Sequence, residues 1–201
     1  KAIQNLSDEG YVKKVQGKGT FITYKKEKMY LNKPRGFKET LSSKGHSSKN
    51  DIIQASFLNA DGDISEKLSI PLNTKVVYLE RLVWEDNEPM AIDKIYIEDE
   101  KFPGFITKLS KDRSFYTILE KDYNIQPKHA VLEIDGIIAQ NQHADLLKCN
   151  IGDPLFSINK ISYDFEDKPI HYSSTIVRCD RATYVVHTDN SNMMNTKTKS
   201  K

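Results

Sequence analysis

Apolar positions in this chain follow two periods, and the longest signal is a pair of hairpin patterns about eighty positions apart. The first runs Val76-Val77-Tyr78-Leu79-Glu80-Arg81-Leu82-Val83-Trp84, turns through Glu85-Asp86-Asn87-Glu88, and returns as Pro89-Met90-Ala91-Ile92-Asp93-Lys94-Ile95-Tyr96-Ile97. Runs rich in Val, Ile and Tyr on either side of an Asp-Asn pair predict a β-hairpin. The second, from Leu155 to Val177, repeats the design with a turn at Asp164-Phe165-Glu166-Asp167-Lys168 and a return strand Pro169-Ile170-His171-Tyr172-Ser173. Pro89 and Pro169 occupy matching places, and a short Leu-bearing helix precedes each hairpin. A period this long does not suit a solenoid and predicts a duplicated half-domain, two related units forming one antiparallel sheet with helices against it. In equivalent halves Arg81 faces a counterpart near Lys160, and Asp93 falls opposite Ser173 with His171 nearby. Register stays open: a two-residue turn at Asp86-Asn87 sets Arg81 across from Ile92, a three-residue turn sets it across from Asp93.

Around these hairpins the remaining elements fall into place. Lys1 to Glu9 has helical spacing, with Ile3 and Leu6 on one face and Gly10 as a C-terminal cap. It lacks an N-cap signal, so the chain is expected to open in mid-helix as a fragment of something longer. Tyr11 to Val15, the tip Gln16-Gly17-Lys18-Gly19 and Thr20 to Tyr24 predict a short basic hairpin whose glycines permit a sharp tip. Lys25 to Pro34 is polar and lysine-rich and is read as a linker. A short helix over 36–45, a loop over 46–50, a buried strand from Ile52 to Leu58 and a helical turn over 63–68 with Asp63 as N-cap come next. Beyond the first hairpin lie a turn at Phe102-Pro103-Gly104, a helix over 112–120, a strand from His129 to Gln140 and a helix from Asn141 to Asn150 stopped by Gly152-Asp153-Pro154. A last strand spans Thr183 to His187, and 190–201 reads as a disordered tail.

Composition narrows the class. With 38% hydrophobic residues in 201, the chain can bury one substantial core or a mid-sized domain with a small appendage. The net charge of +2 means that any nucleic-acid contact must come from local patches. Lys13, Lys14 and Lys18, with Gly17 and Gly19 at the tip, form such a patch on a projecting hairpin suited to phosphates or the minor groove; a merely solvated hairpin is the alternative. Cys149 and Cys179 lack metal-site spacing and read as free thiols in a reducing, cytoplasmic setting. No apolar run reaches the roughly 20 residues of a membrane span, and no metal or cofactor is implied.

Candidate chemistry centres on Arg81. A guanidinium in an apolar strand is expensive to bury unless it is paired or holds an anion. Two readings are open: an ion pair with Asp93 or Glu80, or a bidentate grip on a ligand carboxylate or phosphate, completed by Ser114 and Tyr116 at a helix start. Ser114 can equally serve as a plain helix cap.

The run Ala2-Ile3-Gln4-Asn5-Leu6-Ser7-Asp8-Glu9-Gly10-Tyr11-Val12 with Gln16-Gly17-Lys18-Gly19-Thr20-Phe21-Ile22 resembles the end of the recognition helix and the wing of a GntR-type winged helix-turn-helix regulator. The Gly36-Phe37 helix, closed by Gly45, resembles the opening of the UTRA ligand-sensing domain of the HutC branch. This resemblance implies an α+β fold, an antiparallel sheet with flanking helices of the chorismate-lyase type, preceded by the remnant of the winged helix-turn-helix. It implies residues 1–24 as DNA-binding, 25–34 as linker, 35–189 as UTRA and 190–201 as tail. It further implies a homodimeric repressor that binds operator DNA and senses a small anionic metabolite such as a sugar phosphate. The family's effector contacts, an Arg-x-Arg strand, an acidic residue on the next strand, a Ser-x-Tyr at a helix start and a Glu in the last hairpin, fall on Arg81 and Val83, Asp93, Ser114 and Tyr116, and His171. Two positions depart from that pattern: Val83 replaces an Arg and His171 a Glu, and His171 could titrate near neutrality. Arg178-Cys179-Asp180-Arg181 resembles a structural segment in which Asp180 pairs an Arg. The rival is a chorismate-lyase-like enzyme acting on a small carboxylate. No nucleophile–base pair, serine elbow or metal spacing among His46, His129, His143, His171 and His187 supports it.

Overall fold

The Val- and Ile-rich runs become long strands because their side chains can be covered on both faces. The computed structural model describes residues 2–8, 12–17, 19–22, 26–31, 48–110 and 113–188. Among these, a six-stranded sheet carries the order β4-β5-β6-β9-β8-β7, built from β4 (Ser48–Asn59), β5 (Lys75–Glu85), β6 (Glu88–Glu98), β7 (His129–Ile138), β8 (Pro154–Tyr163) and β9 (Pro169–Arg178). All of its pairings are antiparallel. The order is symmetric about the β6/β9 junction. One strand–helix–hairpin unit (β4, α2 Gly62–Leu68, β5, β6) mirrors another (β7, α5 Asn141–Leu147, β8, β9), as the repeat predicts.

The register question resolves through a feature neither turn reading contained. The turn has two residues, Asp86 and Asn87, both at positive φ (47° and 68°), as a type I′ turn requires, and Glu85 pairs with Glu88. A bulge then slips the return strand: Trp84 pairs with Pro89, but Val83 pairs with Ala91, leaving Met90 extra and setting Arg81 opposite Asp93. The second hairpin carries the matching bulge, with Tyr163 across from Pro169 and Ser162 across from His171. Proline at the start of a strand beside a bulge costs little, since no ladder donor is lost there. Asp93 meets Thr175 on β9, and Ser173 meets Ile95, so the expected Asp93–Ser173 opposition is corrected by two residues.

Helices cover both faces. On one, α3 (Phe105–Lys108) and α4 (Phe115–Tyr123) pack Phe105, Phe115, Ile118 and Leu119 onto Val77, Leu79, Ile95 and Ile97. Burying a side chain of this size stabilises by about 1.5–3 kcal/mol. The other end of that face is covered by a two-stranded parallel sheet, β3 (Glu27–Tyr30) with β10 (Ala182–Val185), which sets Met29 against Val83, Ala91 and Val177. Part of the expected linker is therefore a packed strand; Met29 among polar neighbours was too isolated to signal it. On the opposite face α2 and α5 cap two further clusters. The N-cap of α2 is Asp61, whose carboxylate accepts from Ile64 N, and the expected cap Asp63 lies in the first turn. The strand of 48–59 takes in residues expected as loop, and α4 starts three residues later than expected, with Ser114 as its cap.

At the N-terminal side, α1 (Ala2–Asp8) precedes the hairpin β1 (Val12–Val15) and β2 (Gly19–Ile22). Gly17 and Gly19 both hold positive φ, 77° and 111°, which explains glycine at those tip positions. The expected helix over 36–45 and the tail over 190–201 lie outside the described residues.

Candidate functional site

Alternation along the sheet assembles a polar band on one face. Register rows place Arg81, Asp93, Thr175 and Ile158 side by side, then Ser173 with Lys160, then His171 with Ser162. Apolar clusters flank the band: Leu79 and Ile95 under α4 at one end, Val83, Ala91, Ile158 and Val177 under β3 and β10 at the other.

Arg81 lies almost fully buried, and its Nε and Nη2 both donate to Asp93 Oδ2, at 2.9 and 2.7 Å. Thr175 Oγ1 donates to the other carboxylate oxygen at 2.8 Å. Of the two readings left open by sequence, the Arg81–Asp93 pair is the one formed. Two hydrogen bonds from one guanidinium and a third from a hydroxyl satisfy the carboxylate, which is what keeps a buried pair tolerable.

The first turn of α4 reaches the same band. Ser114 Oγ accepts from Thr117 N at 3.3 Å and so caps the helix. Two residues on, Tyr116 projects over β8 and β9. Lys160 Nζ donates to its hydroxyl at 2.8 Å, and that hydroxyl also lies 3.3 Å from His171 Nε2 and 3.5 Å from Ser162 Oγ. The His171 ring is fully enclosed, edge-on to Phe115 (4.8 Å between centroids) and to Tyr116 (5.5 Å), and its Nδ1 is buried with no hydrogen-bond partner among the described residues. Burial, then the positive charges of Lys160 and Arg81, push its pKa well below the usual 6.5. His171 is thus a neutral imidazole at physiological pH, which corrects the expectation that it titrates near neutrality.

The structure therefore gathers Arg81, Asp93, Tyr116 and His171 into one region, with Ser114 at the helix start that delivers Tyr116. Ser162 and Thr175 were missed by sequence reasoning, and Lys160 was noted only as the counterpart of Arg81. Their signal was the alternation Phe156, Ile158, Lys160, Ser162 along β8, in which polar residues take the inward positions; read alone it looks like an exposed strand. Arg178, by contrast, behaves as expected: Nε and Nη2 donate to Asp180 at 3.0 and 2.7 Å while Nη1 donates to Leu147 O.

The other face of the sheet differs in sign. A recess of about 340 Å³ there is lined by Asp61, Asp63, Lys94, Tyr96 and Tyr172. Burial raises the Tyr96 pKa, and Asp61, Glu80 and Asp63 raise it further. An anion suits the Arg81–Lys160 face better.

Of the proposed DNA contacts, Lys14 is exposed and donates to Gln4 Oε1 at 3.3 Å, tying the hairpin to α1. Gly17 and Gly19 form the tip, while the side chain of Lys13 and all of Lys18 lie outside the described residues.

The chain thus presents a helix-covered antiparallel sheet with a largely buried polar band on one face. The UTRA domain model matches residues 43–183. The chain is 32% identical over 187 residues, covering 93% of it and 77% of the relative, to the "Uncharacterized HTH-type transcriptional regulator YurK" of Bacillus subtilis. It is 34% identical over 186 residues, covering 92% and 76%, to the "Probable fructoselysine utilization operon transcriptional repressor" of Shigella flexneri. The crystal structure of PhnF from Mycobacterium smegmatis shares the fold with a TM-score of 0.81 at 23% identity, over 94% of this chain and 83% of that one. The chain belongs to the UTRA-domain family of GntR-type transcriptional regulators.

Proposed function

We propose that this protein is a ligand-responsive repressor that binds a small anionic metabolite, such as a sugar phosphate, in the band bounded by Arg81, Asp93, Tyr116 and His171 with Ser114 at the adjoining helix start. The observation that carries this reading is the band itself: a largely buried row of polar side chains in which Arg81 is paired with the Asp93 carboxylate and Lys160 donates to the Tyr116 hydroxyl, walled by apolar clusters at both ends. Protein interiors keep such groups only where they are satisfied internally or by a ligand, and the buried His171 Nδ1 has no partner among the described residues. A sugar-derived effector is further suggested by the name of the Shigella relative.

In this reading residues 1–24 belong to the DNA-binding head, 25–34 connect it, and 35–189 sense the effector in a cytoplasmic homodimer that binds operator DNA through the full-length head. The effector acts only through a difference in affinity between two arrangements of the heads, and half-site spacing turns that difference into a change in DNA affinity. The names of the relatives favour regulation over catalysis. None of the described helices is long and apolar enough to cross a membrane.

A thermal-shift screen of sugar phosphates and organic acids tests the proposal. At least one anion should raise the melting temperature in a saturable way and be recovered unchanged. A panel without any stabilising anion, or one consumed in the assay, would overturn it.

A further inference from the structure

Lys160, Ser162 and His171 meet at the Tyr116 hydroxyl, and their donor and acceptor rules fix where the His171 proton sits. Lys160 Nζ donates to the Tyr116 oxygen at 2.8 Å. An ammonium has donors and no acceptor, so it cannot take the phenol's own hydrogen. Among the described residues two acceptors lie within reach of that hydrogen, His171 Nε2 at 3.3 Å and Ser162 Oγ at 3.5 Å. The imidazole nitrogen is the nearer and the more basic of the two, so the phenol donates to Nε2. A neutral imidazole carries one N–H, and the bond made by one ring nitrogen sets the protonation of the other. With Nε2 accepting, the hydrogen is on Nδ1.

Nδ1 is then a donor sealed from solvent. His171 is 1% exposed, its ring is enclosed by Phe115 and Tyr116, and Nδ1 has no hydrogen-bond partner among the described residues. Leaving a buried donor unpaired costs about 1–3 kcal/mol, so an orphaned N–H of this kind calls for an acceptor from outside the chain. Chemistry narrows that acceptor. Lys160 and Arg81 both act on the ring to disfavour positive charge, and a ligand ammonium would meet the same repulsion. A ligand N–H is equally mismatched, because Nδ1–H gives a hydrogen and takes none. An oxygen fits: the hydroxyl or carbonyl of an uncharged part of the effector, beside the cations that suit its anionic part.

We infer that His171 is a specificity-determining residue of the effector site: the hydrogen-bond chain from Lys160 through Tyr116 to Nε2 locks the ring as an Nδ1–H donor, and that donor binds a hydroxyl or carbonyl oxygen of the effector. This rests on the effector reading above and adds the polarity of one contact, which a residue type that can both give and accept leaves undetermined. Tyr116 acts in it as a positioning residue, through His171.

The test uses the full chain with nitrogen-15 in its histidines. Long-range proton–nitrogen spectra of the unliganded protein at neutral pH should show His171, identified by its loss in His171→Leu, as the Nδ1–H form; Tyr116→Phe should release it to the Nε2–H form or to a mixture. Saturating glucose 6-phosphate should move the Nδ1 proton downfield, as a newly made hydrogen bond does. By calorimetry, His171→Asn, whose amide N–H reaches the place of Nδ1, should bind glucose 6-phosphate within about threefold of wild type, and His171→Leu about tenfold more weakly. The wild-type spectra decide independently of how well either variant folds. An Nε2–H form in unliganded wild type overturns the inference whether or not an anion binds, and a Tyr116→Phe ring that keeps Nδ1–H overturns the role given to Tyr116. A Nδ1 proton unmoved by bound glucose 6-phosphate, or His171→Leu binding as tightly as wild type, overturns the contact while the effector reading stands. Absence of saturable glucose 6-phosphate binding overturns the contact too, and the effector reading falls with it only if no other anion of the thermal-shift panel binds.

Discussion

His171 shows how little a residue type says before its surroundings are known. An imidazole in a Pro-led strand reads as a group poised near pH 7, but enclosure by Phe115 and Tyr116 beside two cations denies it a proton. Because the folded pKa is depressed while the unfolded one stays near 6.5, the unfolded chain binds the extra proton first, and stability falls as pH drops below about 6.5. We expect unfolding free energies measured in urea between pH 7.5 and 5 to decline more steeply for wild type than for His171→Gln, by at most about 1.4 kcal/mol per pH unit. Equal slopes would mean that His171 takes up its proton in the folded state. Arg81 teaches the converse lesson: its pairing with Asp93 was one of two legible options, and the choice depended on a neighbour twelve residues away lying across the ladder.

At the scale of elements, the hairpins carry the design. The Asp86-Asn87 turn enforces tight return because both residues sit at positive φ, and the bulge at Met90 then shifts every later pair by one. Without that extra residue Asp93 would face away from Arg81, since a one-residue slip exchanges the two faces of a strand. Asn87→Gly should leave stability unchanged or raise it slightly, whereas Asn87→Val, forced to positive φ, should cost about 1–2 kcal/mol in chemical denaturation. A Val variant as stable as the parent would show that the turn is not held in this conformation. Hairpins, the Ser114 cap and the glycine tip were legible because their signals are local, whereas the cap at the start of α2 was read two residues late, at Asp63 for Asp61. The bulges were not, since an extra residue in a strand leaves no mark until the partner strand is known. Nor were the band residues Ser162 and Thr175, whose hydroxyls look like ordinary strand surface.

For the molecule as a whole, the segment between the basic hairpin and the six-stranded sheet is tied down by packing. β3 pairs in parallel with β10 and sets Met29 against Val83 and Ala91, each two residues along its strand from Arg81 or Asp93. Packed side chains thus connect β3 to the strands that carry Arg81 and Asp93. Met29→Ala should reduce stability by about 2–4 kcal/mol and accelerate tryptic cleavage after Lys26 and Lys28. Unchanged cleavage would place the contact outside the energetics that hold β3 in position.

Sequence was enough for the two-half architecture, the antiparallel hairpins, the glycine tip of the basic hairpin and the family, because periodicity, turn chemistry and linear motifs are written in neighbouring residues. Folding was needed to settle that Arg81 is neutralised by Asp93, that His171 is held neutral, that Lys160 stands beside Tyr116, and that part of the segment expected as linker is a strand. Each of these depends on register and on burial, and both are set by partners distant along the chain, where a one-residue bulge or a single enclosing ring changes which charges meet.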